Sequence, residues 1–203
     1  MKLFWFGNRK KPEVVSAPVS GEDPMKSPEF KRLRKQYAEF CISAVMPFMK
    51  AWDEFAPLCS MPEVEKITFT NETDGTPVLV VGTSDVYLRD YDVNMWRHIG
   101  KFAIVINRKP SDLSVSYFNL TRQIAVKDSA TLYDHPHLYE HDICSSEADL
   151  IRQSAATGRI LDVVKRSIVA LHTYGPNRPY LDLQAWPLAS NKLNHHLEET
   201  RNA

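Results

Sequence analysis

Cysteine is scarce in this chain. Its 203 residues include three, Cys41, Cys59 and Cys144. An odd, sparse set excludes a disulfide framework and points to a reducing compartment, so the cytoplasm is the expected location. Long hydrophobic runs are missing as well. No stretch approaches the ~18 apolar residues that a membrane-spanning helix needs. Leu3-Phe4-Trp5-Phe6 is too short for a signal-peptide core, and Asn8 to Lys11 lie on its wrong side. Excess charge of one sign is also absent: 25 basic residues balance 25 acidic ones. That balance excludes a field strong enough to draw the protein to nucleic acid or to a membrane surface. Arg9-Lys10-Lys11 is the one local asymmetry and reads as a solvated end. There is no internal repeat and no low-complexity segment.

What is there suits one globular domain with tails. Residues 1–27 read as a flexible N-terminal tail broken by Pro12, Pro18 and Pro24, residues 28–188 as the domain, and residues 189–203 as a frayed C-terminal tail. Ser27-Pro28-Glu29 is a helix start, with a capping hydroxyl, proline in the first turn and an acid at the positive end of the dipole. Phe30, Leu33, Tyr37, Phe40, Ala44, Phe48, Trp52 and Phe55 then recur at three- and four-residue steps. That spacing predicts a long amphipathic helix, kinked or split at Pro47. Cys41 sits on its apolar face as core filling, and Cys59 follows its end.

From Val64 to Leu120 the pattern changes to strands. Glu65–Thr70 alternates, and Asn71 to Pro77, with Asp74-Gly75, reads as a turn. Pro77–Tyr91 follows, with a bulge expected at Gly82. Lys101–Asn107 and Leu113–Leu120 complete a meander of four antiparallel strands. A long irregular stretch then runs through Cys144, and loops of that length are usually functional. Ser146 and Asp149 predict a capped short helix, interrupted at Gly158. Ile160, Leu161, Val164, Ile168 and Leu171 define another amphipathic helix, ending at Gly175-Pro176. Tyr180 to Trp186 reads as an apolar anchoring segment. The fold class expected is therefore α+β. The Asn-x-Thr sequences at Asn71 and Asn119 read as chance occurrences.

The chemistry concentrates in Asp134-His135-Pro136-His137 and Cys144. A thiolate is a strong nucleophile, and acyl transfer between thiols needs an accessible sulfur with donors aimed at the oxyanion. His135 and His137 are the nearest candidate donors, and Pro136 stiffens their loop. The acids Asp134, Glu140 and Asp142 disfavour a thiolate, which argues against a protease-like cysteine. Other readings stay open. Cys144 can be a buried small hydrophobe. His135, His137, His141 and Cys144 can be zinc ligands, although one ten-residue loop is cramped for four. A Cys-His protease is the weakest, because no third orienting residue is recognisable.

The order of helix, four-strand meander, His-Pro-x, cysteine and long helix resembles the ubiquitin-conjugating enzyme family, and in particular its divergent bacterial branch. The match runs from about Ser27 to Trp186, with His135-Pro136-His137 at the family's His-Pro-Asn motif and Cys144 at its thioester cysteine. Thr157 falls where the family's crossing helix begins, and Leu161, Val164, Ile168 and Leu171 match its apolar face. His137 replaces the family's asparagine, the gap to Cys144 is one residue shorter, and the Trp-x-Pro after the cysteine is missing. The resemblance implies that Cys144 carries a ubiquitin-like protein, received from an activating enzyme and passed to an amine on a protein target. His137 would stabilise the oxyanion, with His135 and Pro136 shaping the loop. Asn177 would help to orient the incoming lysine. Lys31, Arg32, Arg34 and Lys35 on the first helix would dock the activating enzyme. No metal and no small cofactor is implied. The alternative is a catalytically silent binding module on the same scaffold.

Overall fold

The computed structural model describes residues 24–42, 48–109, 112–125, 131–175 and 179–202. The architecture is α+β: a four-stranded antiparallel sheet in the order β1-β2-β3-β4, with helices packed on one face. The N-terminal residues 1–23 lie outside the described residues, and so does Pro47.

Helix α1 (Pro28–Ile42) begins as its sequence requires, with the Ser27 hydroxyl accepting the Phe30 amide at 3.0 Å. Its buried face carries Leu33, Tyr37, Ala38, Phe40 and Cys41. The long apolar stripe is divided between α1 and α2 (Phe48–Cys59), and Phe55 of α2 packs against Phe30 and Tyr37 with ring centroids 5.3 Å apart in each case. Cys59 closes α2 rather than following it.

The strands are β1 (Val64–Asn71), β2 (Pro77–Asp90), β3 (Met95–Lys109) and β4 (Asp112–Asn119). The register of β2 against β3 shifts between Gly82 and Asp85, where a bulge was expected. Strand β3 starts six residues before the expected Lys101. Leu79, Val81, Phe102, Ile104, Ile106 and Tyr117 face the helices, while Val78, Ala103 and Val105 form a smaller apolar cluster on the opposite face.

Beyond β4 the expected irregular loop contains two short hairpins: β5 (Ile124–Ala125) with β6 (Leu132–Tyr133), and β7 (Leu138–Tyr139) with β8 (Asp142–Ile143). Helix α3 (Ala148–Ala156) follows, then α4 (Ile160–Leu171). Ser146 does not cap α3. The residue before the helix is Glu147, whose amide is accepted by the Ser145 hydroxyl at 3.2 Å. Thr157 ends α3 instead of opening the long helix, and Gly158 makes the turn at φ +68°. Helix α4 buries Ile160, Val163, Val164, Ile168 and Leu171, and its Ser167 hydroxyl lies 2.8 Å from that of Tyr117 on β4.

The chain end is also different from expectation. Residues 191–202 form α5 (Asn191–Asn202) rather than a frayed tail. This helix is fastened by polar groups: the Asn194 side chain accepts the Trp96 amide at 2.7 Å, and Glu198 accepts the Trp96 indole N–H at 2.9 Å. No helix among the described residues is long and apolar enough to cross a membrane.

Candidate active site

The site is built outward from β3. Gly100 adopts φ +126°, and a side chain there would collide with the Thr121 hydroxyl and the Asn119 amide. This close approach seats Asn119 at the end of β4. Its amide nitrogen donates to the carbonyls of Ile99 and Asp134, both at 2.9 Å. Asp134 is thereby placed at the sheet edge, and its buried carboxylate accepts the Gln123 amide at 2.7 Å. The chain enters His135-Pro136-His137 from this fixed point.

Each residue of the tripeptide then ties something different. His135 is fully buried, and its Nε2 donates to the Leu171 carbonyl at the end of α4 at 3.0 Å. Its Nδ1 accepts the His137 amide at 3.1 Å, which assigns the neutral Nε2-protonated tautomer. Burial pushes its pKa down to about 3. The Pro136 carbonyl accepts the Tyr180 amide at 2.8 Å, and the His137 carbonyl accepts the Cys144 amide at 2.8 Å. The His137 ring is held at one nitrogen. Its Nε2 lies 2.9 Å from the Gly175 carbonyl, just beyond α4, and burial lowers its pKa. The tripeptide is a clamp joining α4, the Cys144 loop and the Tyr180 segment.

The β7–β8 hairpin presents the cysteine. Its two-residue turn, Glu140-His141, has φ +49° and +72°, the left-handed pair that matches strand twist but strains residues with a Cβ. The His141 carbonyl accepts the Tyr117 amide at 3.0 Å, and its ring packs on Phe118 at 4.2 Å. The hairpin therefore leans on β4 and delivers Cys144 to an open cleft of about 330 Å³. Asp142, Ser145, Asp149, Arg152 and Tyr180 also line this cleft.

The three cysteines differ sharply. Cys41 is in the core, and burial pushes its thiol up to about 12. Cys59 is exposed as a residue, yet local burial of its sulfur raises its thiol to about 11. Cys144 is exposed at the cleft, which removes the reading of it as core filling. The four residues considered as zinc ligands do not converge. His135 and His137 spend their rings on backbone groups, and the His141 ring faces Asp134 at 3.6 Å. Among the described residues no group of His, Cys, Asp and Glu is arranged to hold a metal.

Lys31, Arg32 and Lys35 are exposed on α1. Arg34 is half-buried and turns toward α2, 3.5 Å from Asp53. Asn177 lies outside the described residues. The residue that sequence reasoning missed is Tyr180. It was placed in an anchoring segment, whereas it is exposed and borders the thiol. Leu183 and Trp186 are the buried anchors of that segment.

The fold and cleft define an α+β protein with an accessible, clamped cysteine. No family model, no curated protein and no solved structure matches the chain.

Proposed function

We propose that this chain is a ubiquitin-conjugating-like carrier. Cys144 receives a ubiquitin-like protein as a thioester from an activating enzyme and passes it to an amine on a target protein. One observation carries the reading: an exposed thiol in an open cleft, with its amide held by the His-Pro-His clamp. The element order adds support, because helices, a four-strand meander, the cysteine loop and α4 follow one another as in a ubiquitin-conjugating-like fold.

The first step is thiol exchange. The Cys144 thiolate attacks the incoming acyl carbon, a new C–S bond forms, and the donor thiolate leaves. The exchange converts one thioester and one thiolate into another such pair and is nearly balanced in energy, so it needs little activation of the nucleophile. Asp142 on the cleft has the charge that attracts an approaching ammonium group, while Asp149 is paired with Arg152. Lys31, Arg32 and Lys35 form the activating-enzyme face of α1, while Arg34 contributes to helix packing. No metal or small cofactor enters either step, and ATP is consumed upstream. A free, exposed thiol suits a reducing compartment, so the proposal includes the cytoplasm.

A catalytically silent binding module is the second reading. The bond of the His137 ring to the Gly175 carbonyl favours it, because that ring was the expected oxyanion donor. Replacement by serine separates the two. With activating enzyme and ubiquitin-like protein from the same genome, Cys144→Ser should trap an ester that resists thiols, and Cys144→Ala should form nothing. A wild-type protein that binds a charged activating enzyme without accepting its cargo supports the silent module.

A further inference from the structure

We propose that Tyr180 is the hydrogen-bond donor of the Cys144 cleft, its phenol serving the sulfur in the free protein and the acyl oxygen in the loaded one. The second half of this inference rests on the carrier reading. The first half does not.

The geometry brings the two side chains together by design of the backbone. Adjacent carbonyls of one tripeptide hold them, Pro136 accepting the Tyr180 amide and His137 accepting the Cys144 amide, each at 2.8 Å. Both residues line the same cleft. The Tyr180 ring is braced by Tyr139, with centroids 5.3 Å apart. The segment that follows is pinned in turn. Leu183 and Trp186 are buried, and the Arg97 guanidinium donates to the carbonyls of Gln184 at 3.1 Å and Trp186 at 2.6 Å. Arg97 is itself held by Asp90 at 2.7 Å. With its amide held by Pro136, its ring braced by Tyr139 and the following residues pinned by Arg97, the Tyr180 phenol is preorganised in the cleft that the thiol lines.

The chemistry fits a donor that keeps its proton. Burial, then the neighbouring Cys144, raise the phenol above its ordinary value. The charged groups around the pair are Asp142 on β8 and Asp149 and Arg152 on α3, with the Tyr139 phenol on β7. In the transfer step an amine attacks the thioester carbon and a C–N bond forms. The carbonyl electron pair moves to oxygen, where the Tyr180 hydroxyl donates to the oxyanion. The pair returns, the C–S bond breaks, Cys144 leaves as thiolate, and the amine proton goes to solvent. Tyrosine neither gains nor loses a proton. This gives Tyr180 a donor role in the cleft, while the His137 ring has its Nε2 beside the Gly175 carbonyl.

Two readouts on the full chain test the assignment. The first is the pH profile of Cys144 alkylation by iodoacetamide, read on the Cys144 peptide by mass spectrometry. Tyr180→Phe keeps the ring and the backbone bond and removes only the donor, and it should displace the profile to higher pH. Tyr91→Phe, at an exposed tyrosine between β2 and β3 that does not line the cleft, should leave the profile in place. The second is discharge of the loaded thioester to hydroxylamine, which should slow at least ~10-fold in Tyr180→Phe at unchanged loading. An unmoved profile overturns the assignment, and so does discharge at the wild-type rate. A moved profile in a protein that never loads upholds the thiol–phenol pair. It removes the carrier reading, and the acyl-oxygen role falls with it.

Discussion

His135 shows how one side chain sets the site. Its two nitrogens are spent on Leu171 and His137, and its ring meets Phe102 edge-on at 5.8 Å. Protonation would break the bond to the His137 amide. The folded protein therefore resists a proton until about pH 3, whereas the unfolded chain takes one up near pH 6.5. The stability contributed by the neutral ring is complete above pH 6.5. It is lost as the pH falls toward 3, at about 1.4 kcal/mol per pH unit. Urea midpoints across pH 4–7 measure this. His135→Gln should be less stable at pH 7 and lose stability less steeply on acidification; parallel curves for the two proteins would refute the assignment. His135→Ala also leaves the His137 amide and the Leu171 carbonyl unpaired, and should cost ~2–4 kcal/mol at neutral pH.

At the scale of elements, two connections decide where the clamp sits. The first is the contact of Gly100 with the Asn119 turn. Gly100→Ala requires both an unfavourable φ and displacement of Asn119, for a cost on the order of 1–3 kcal/mol. Because Asn119 holds Asp134, the same change should speed amide exchange in residues 134–144, and unchanged exchange there would separate Gly100 from the site. The second connection is α5 on β2 and β3. Glu198 accepts from the Trp96 indole and, at 3.0 Å, from Arg89. Glu198→Ala should cost about 1 kcal/mol and raise exchange along α5 before the rest of the molecule. Neither early β3 nor α5 was legible in the sequence, for one physical reason. Arg97 is a buried cation paired with Asp90, so it interrupts the apolar alternation of β3. Helix α5 carries two apolar residues in twelve and docks through Asn194 and Glu198. Apolar periodicity reports elements that bury hydrocarbon, and these two are fixed by polar bonds.

Over the whole molecule, the periodic elements were readable: α1 with its serine cap, the four-strand meander and the buried stripe of α4. The exposure of Cys144 and the partners of the His-Pro-His residues were not. Leu171, Gly175 and Tyr180 are distant from the tripeptide along the chain and reach it only after α4 packs on the sheet. The position of His137 in the sequence suggested a ring beside the sulfur, and the fold turns that ring toward the end of α4. The molecule thus uses its core helix to orient a surface thiol. The most direct measurement is the intact mass, without reductant, of the purified chain after incubation with ATP, activating enzyme and ubiquitin-like protein. A carrier gains the mass of one ubiquitin-like protein less one water, carries it on Cys144, and loses it to dithiothreitol. An unshifted mass, with the activating enzyme itself charged, contradicts the thioester role of Cys144.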